Sequence, residues 1–300
     1  MTQPADIRIS PKSYSKSPQE IDPEVFRKLR KLFTDIYWLE DLEANFLELW
    51  NVCSDEQQQD LVIELIHRFS YITSRELKQC GEKIADQVTN KWKLNPSQTI
   101  LIAFAEDNKP DGSQALLQSI KDKFAYLDKW SENNFFNKLA VGAYKLKSGD
   151  TAVLIDDFIG SGKTALRKIN WLFSVLQKRN VTECKIYVVA LAAMESAESV
   201  LQSIPIDDYF SCYWLRRGIS DEYNGTELVA KTQLMRDLEG ILGDTFRAHK
   251  LKTYNFGFKC SEALYNLEAY NIPNNVFPIF WWPVLKAGKK KNPMFRHFLG

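Results

Sequence analysis

An α/β fold, with a parallel sheet flanked by helices, is what the amino-acid sequence predicts, and two observations carry the prediction. Short uninterrupted apolar runs recur at residues 99–105, 139–144, 152–155, 185–192, 209–215 and 276–281, the pattern of strands covered on both faces. Most are separated by stretches of helical periodicity, such as 164–178, where Leu166, Ile169, Phe173 and Leu176 share a face. Alternation of this kind lays parallel strands side by side with helices packed on them.

In chain order, residues 1–21 are polar, without the apolar core of a secretory signal, and are expected to be extended or disordered. Residues 22–95 form an N-terminal helical region. Asp22-Pro23 offers a cap followed by proline at the first helical position. Phe26, Leu29, Leu32, Phe33, Ile36, Leu39, Leu42, Phe46 and Leu49 then make one stripe over 22–53. A second helical run, 54–92, repeats the spacing with Leu61, Leu65, Phe69, Ile72, Leu77, Ile84 and Val88. Asn95-Pro96 ends the layer, and 96–285 reads as the α/β domain. Within it, 218–272 mixes helical pieces, glycines and the aromatic-rich 254–258, and is read as a hood inserted over the sheet edge. Residues 286–300, with Lys289-Lys290-Lys291 and Arg296, form a small basic tail that is either solvated or available to nucleic acid at a partner's surface.

Composition removes several function classes. A formal net charge of +1 gives no global electrostatic footprint for nucleic acid. The five cysteines are widely spaced with no C-x-x-C pair, so they read as reduced thiols and not as metal ligands. No run reaches the roughly 18 apolar residues of a membrane span, and a cytoplasmic location is expected. His67, His249 and His297 have neither ligand spacing nor a nucleophile partner.

The chemistry concentrates at 151–164. Val153-Leu154-Ile155 is followed by Asp156-Asp157, two carboxylates at the carboxyl end of a buried strand, where open α/β sheets bind ligands. Gly160-Ser161-Gly162-Lys163-Thr164 then runs into a helix, offering backbone N–H groups, a helix N-terminus and two hydroxyls to an anion. A phosphate suits this loop. A P-loop is one form of it, and Gly162-Lys163-Thr164 fits that motif's end. Its first glycine would fall at Asp157, whose carboxylate would repel a triphosphate.

The other form is the phosphoribosyl-diphosphate motif: four apolar residues, two acids, two apolar residues, and a small phosphate loop ending in Thr. Ala152 through Ile155, Asp156-Asp157, Phe158-Ile159 and Gly160 through Thr164 resemble it closely, and on them the chain resembles type I phosphoribosyltransferases. The resemblance implies that Asp156 and Asp157 bind the ribose hydroxyls and, with the ligand, Mg2+. Gly160, Ser161, Gly162, Lys163 and Thr164 would hold the 5′-phosphate. It also implies a pyrophosphate loop after an earlier strand, for which 106–113 is the candidate, with Lys109, Gly112 and Ser113 as its contacts and Asp111-Gly112 as a tight turn. Arg216 and Arg217, after the 209–215 run, are further candidates for a diphosphate, and Phe258, in the hood, for stacking a base.

The chain departs from the hypoxanthine-type enzymes at Gly160, where they carry an acid that moves a proton on the purine. Ordinary purine salvage is therefore not implied. With the helical front and the aromatic ending 272–282, the sequence resembles the phosphoribosyltransferase-like effectors of bacterial conflict systems, including those encoded beside anti-phage retrons. That resemblance implies an effector or toxin binding phosphoribosyl diphosphate or a nucleotide. Its partners would be defence-system proteins such as a reverse transcriptase with its nucleic acid; an oligomer is left open. The alternative is an inactive nucleotide-sensing or scaffold protein on the same fold.

Overall fold

The computed structural model describes residues 22–106 and 111–298. The expectation for 1–21 and the candidate Lys109 lie outside the described residues. The chain divides into two units, Met1–Glu40 and Asp41–Gly300. In the first, α1 (Pro23–Asp35) starts as its sequence predicts, Asp22 accepting a 2.7 Å hydrogen bond from the Glu24 N–H and Pro23 sitting in the first turn. Ile36, at φ −124°, leaves the helical region, and a 3₁₀ turn over Tyr37–Leu42 follows. The stripe predicted as one helix over 22–53 is thus divided, and α2 (Glu43–Asn51) carries its continuation.

In the second unit α3 (Glu56–His67) and α4 (Ser74–Asp86) are separated by β1 (Ser70–Ile72). The predicted helical run 54–92 therefore contains a strand, and its partners, Tyr265 to Leu267, are too distant in sequence for local periodicity to reveal the pairing. A capping box at Thr73 and Glu76 starts α4 sharply behind it.

The central sheet contains β2 (Thr99–Ala103), β3 (Phe135–Phe136), β4 (Thr151–Ile159), β5 (Lys185–Met194) and β6 (Asp208–Leu215), all parallel, in the order β3-β2-β4-β5-β6. The predicted α/β class holds. The connections are α5 (Gly112–Ile120), α6 (Leu139–Lys145), α7 (Lys163–Lys178) and α8 (Glu198–Gln202). Ile102, Leu154 and Val188 face α6, α7 and α8 in one hydrophobic cluster with Ala143, Ile169 and Leu201. α5 packs against β2 and β4, and α4 against α5. The chain goes from β2 to β3 on one side and returns to lay β4 on the other. Strand order thus reverses between β2 and β4, and the crevice beyond their carboxyl ends is the natural ligand position of such a sheet.

Two apolar runs are not the strands they are predicted to be. Residues 139–144 lie in α6, where Leu139 and Ala143 are buried, as is Leu146 just past its end, while Val141 and Tyr144 are exposed, a spacing of four and three that a six-residue run cannot distinguish from a strand by composition. Gly142 lets this helix close on Ile102, since a Cβ there would sit 2.5 Å from Ile102 Cδ1. Residues 276–281 form a core plug around the 3₁₀ turn Pro278–Phe280; Pro278 has no N–H for a ladder, and the indole of Trp281 donates to the Val276 carbonyl at 2.8 Å. Trp282 likewise donates to the Gly243 carbonyl, so both indoles are core groups.

Residues 218–272 hold α9 (Gly225–Gly240), the hairpin of β7 (Thr245–Phe246) and β8 (His249–Lys250), and β9 (Tyr265–Leu267), which pairs with β1. Lys231 of α9 meets Glu64 of α3 at 2.7 Å. Glu239, 2% exposed, accepts from the Phe256 N–H, and burial pushes its carboxyl up to about 8. Near the C-terminus Lys289 and Lys290 are exposed, but Lys291 is buried and donates to the Ile279 carbonyl, so the basic run is not uniformly solvated. The five cysteines are free thiols. Among the described residues no helix is long and apolar enough to cross a membrane.

Candidate functional site

The strand β4 runs farther than its apolar stretch, so Asp156 and Asp157 are still in the sheet, with Asp156 in register with Ala190 of β5. Gly162 caps α7 with φ +71°, a conformation that favours glycine, and a Cβ there would meet Val200 at 2.9 Å. The first turn of α7 leaves N–H groups without intrahelical partners beside the acids.

A cavity of about 270 Å³ joins these parts. It is lined by Asp156, Asp157, Gly160, Ser161, Gly162 and Thr164, and by Phe258 from across the crevice. Lys163 is exposed and is not among the lining residues. Asp111 also lines the cavity. It is the N-cap of α5, accepting from the Ser113 N–H at 2.9 Å in a capping box with Gln114, so Asp111-Gly112 opens a helix where a tight turn is predicted. Oxygens of Asp111, Asp156 and Asp157 lie within 4.8 Å of one another. A Cβ on Gly112 would come 2.1 Å from Asp157 Oδ2, so this glycine is what lets the helix end meet the acid. Ser113 Oγ is fully buried and has no hydrogen-bond partner among the described residues.

Both neighbouring acids are hard to ionise. Burial, then the charge of Asp157, holds the Asp156 carboxyl well above the ordinary carboxylate range. Burial, then Asp111, pushes Asp157 up to about 6. The opposing charge is Lys168 of α7, 7% exposed, whose ammonium donates to the Phe104 carbonyl and lies 5.1 Å from the Phe104 ring centre. Lys168 was readable in sequence only indirectly: it stands three after Ala165 and four before Leu172, a cation on the apolar stripe of its helix. Asn274 and Asn275 carry no motif and were equally silent. Asn275 packs against Gly160, where a Cβ would lie 2.3 Å from its Nδ2.

Arg216 and Arg217 are not brought to this cavity. Arg217 makes two side-chain hydrogen bonds to Asp221, at 2.7 and 2.9 Å, and Arg216 pairs with Glu222 at 3.0 Å.

A parallel sheet whose switch point holds paired acids and a phosphate-type loop defines the phosphoribosyltransferase-like class of α/β proteins. The chain belongs to the PRTase-CE family, which it matches over residues 38–296. No curated protein matches it. Among solved structures it is similar to the Helicobacter pylori xanthine-guanine-hypoxanthine phosphoribosyltransferase, with 11% identity, TM-score 0.29, and 47% of this chain and 85% of that one covered. It is also similar to the Schistosoma mansoni hypoxanthine-guanine phosphoribosyltransferase in complex with IMP, with 15% identity, TM-score 0.31, and 48% and 67% covered. A hypothetical protein from Neisseria gonorrhoeae with bound ppGpp matches at 11% identity and TM-score 0.31, with 56% and 97% covered.

Proposed function

We propose that the protein binds a phosphoribosyl ligand with Mg2+ and makes or breaks a bond at the anomeric carbon of the ribose. The convergence of Asp111, Asp156, Asp157 and the 160–164 loop on one cavity at the sheet's switch point is the observation that carries this reading. The acids would accept hydrogen bonds from the ribose hydroxyls, and the loop's N–H groups with Ser161 and Thr164 would hold the 5′-phosphate. Three carboxylates this close, two of them resisting ionisation, favour a cation, and Asp111, Asp156 and Asp157 are the residues that would hold it. When bound, Mg2+ would neutralise charge developing on a departing diphosphate. Gly160 supplies no acid or base, so the acceptor must present its nucleophile without proton transfer from that position.

Thermal shift with phosphoribosyl diphosphate and Mg2+, beside ATP and GTP with Mg2+, tests this. The phosphoribosyl ligand is expected to stabilise the protein, and a response to the triphosphates alone would refute the reading. Diphosphate release from phosphoribosyl diphosphate, with water or an added nucleobase as the nucleophile that takes the anomeric carbon, separates an enzyme from the sensor or scaffold alternative. That alternative is favoured by Gly160, whose missing side chain is replaced by packing against Asn275.

We propose further that the protein acts as an effector in bacterial anti-phage defence, held in check by partner components, on the strength of the sequence's resemblance to the effectors of bacterial conflict systems. In cells carrying the complete system, Asp156→Asn/Asp157→Asn is expected to abolish protection in phage plating. Unchanged plating with normal protein levels would count against the effector role.

A further inference from the structure

We propose that the cavity between α9 and the hairpin of β7 and β8 is a second anion site, separate from the switch-point cavity, and that it takes a compact molecule bearing clustered phosphates. It does not depend on the sugar-phosphate reading above.

The cavity has a volume of about 440 Å³ and shares no lining residue with the one at the switch point. Arg236, Lys250, Lys252 and Lys286 line it, against Glu239 and Asp244. The four cations come from separate elements: Arg236 from α9, Lys250 from β8, Lys252 from the 3₁₀ turn Leu251–Thr253 and Lys286 from the 3₁₀ turn Lys286–Gly288. Main-chain hydrogen bonds of 2.8 Å tie these walls together, the Gly243 N–H donating to Val284, the Leu251 N–H to Asp244 and the Lys286 N–H to Ile241.

All four side chains are exposed, and among the described residues none of them is in an ion pair. In this they differ from Arg216, Arg217 and Lys231, each of which holds an acid. Glu239 adds little negative charge. It is 2% exposed, both of its oxygens accept from the Phe256 N–H, at 2.9 and 3.2 Å, and burial, by raising its carboxyl to about 8, keeps it largely protonated at pH 7.

A concavity lined by unpartnered charges of one sign focuses an attractive field on a counter-ion. Four cations around one cavity match several negative groups on one molecule. Phosphate oxygens suit the fork of Arg236 and the three ammonium groups, and Thr245 and Asn255, which also line the cavity, add neutral donors. A net charge of +1 leaves the chain without the broad basic surface that a nucleic-acid backbone needs, so the phosphates are clustered on a small molecule and not strung along a polymer.

Calorimetric titration of the full chain with tripolyphosphate, in EDTA so that no Mg2+ is present, tests the proposal. Citrate serves as a polyanion without phosphate, and a short oligothymidylate presents phosphates on a polymer. Tripolyphosphate is expected to bind about tenfold more tightly than either at equal ionic strength. Lys250→Gln/Lys252→Gln and, independently, Arg236→Gln should each weaken it about tenfold while melting as wild type without ligand. Should one variant melt lower, the other decides. Binding that the variants retain would put the ion at another site and overturn the proposal. Citrate binding as well as tripolyphosphate would overturn the phosphate selectivity, and tighter binding of the oligothymidylate would overturn the compact ligand. No binding of tripolyphosphate would mean that the cations serve only the C-terminal dipole of α9, and would overturn the site altogether.

Discussion

With Asp156 and Asp157 both replaced by asparagine, the protein is expected to lose its stabilisation by phosphoribosyl diphosphate and Mg2+, and at the same time to melt higher than wild type in the absence of ligand at pH 7. The lost shift is about 2.7 kcal/mol when the ligand stands at a hundred times its dissociation constant. The gain has a separate origin. Both carboxyls titrate above the ordinary range in the folded protein, Asp157 near 6, because burial and neighbouring acids penalise their charge. Between pH 4 and 6 the folded chain therefore holds more protons at these positions than the unfolded chain does. Stability from the pair is greatest below the unfolded value and is lost as pH rises through the folded one. At pH 7 the penalty is present in full, on the order of 1–3 kcal/mol for Asp157, and an amide does not incur it. Melting curves at pH 7 and pH 5 check both parts: the unliganded difference should shrink at the lower pH, where Asp157 is largely protonated in wild type. A variant that melts lower than wild type at pH 7, or that still responds to the ligand, would contradict the argument.

The sequence discloses those features whose cause is local. Four of the predicted apolar runs are parallel strands, because burial on both faces demands uninterrupted apolar residues whatever the partner. The acids and the loop are legible for a similar reason: a buried apolar run leading into Asp156-Asp157, then a glycine-bounded turn and a helix, has few other uses. What stays hidden depends on distance along the chain. β1 exists only through its pairing with β9, and 139–144 becomes a helix because Gly142 must approach Ile102. Asp111 reads locally as a turn residue, and its closeness to Asp157 follows from how α5 docks on β4. Arg216 and Arg217 mislead in the opposite way, since they follow a true strand of the sheet but are engaged by Asp221 and Glu222, four and six residues onward from Arg217 and Arg216. Local chemistry cannot say which of two partners, a ligand or a neighbouring acid, an arginine will meet.

Lys168→Met is expected to destabilise the ligand-free protein by about 2–4 kcal/mol at pH 7, somewhat below the cost usual for breaking a fully buried ion pair because Asp156 and Asp157 retain partial exposure. Lys168 is the cation that opposes both acids, and its ammonium also satisfies the Phe104 carbonyl at the end of β2, so its removal leaves the acid pair without its counter-charge and a buried acceptor without its donor. Methionine keeps the length of the side chain, which limits the packing change on the buried face of α7. The cost should fall at pH 5, because the carboxyls can take up protons in place of the lost counter-charge, and it should fall again when Lys168→Met is made in the Asp156→Asn/Asp157→Asn background, where there is nothing left to oppose. That second comparison is a double-mutant cycle, and it isolates charge coupling from the loss of a hydrogen bond or of packing, which the background leaves unchanged. Denaturant melts of the four proteins at the two pH values measure it. Equal costs in both backgrounds would mean that Lys168 serves the sheet through Phe104 alone, and that the acids are held apart from solvent without a protein cation, leaving Mg2+ as the charge on which the folded site depends.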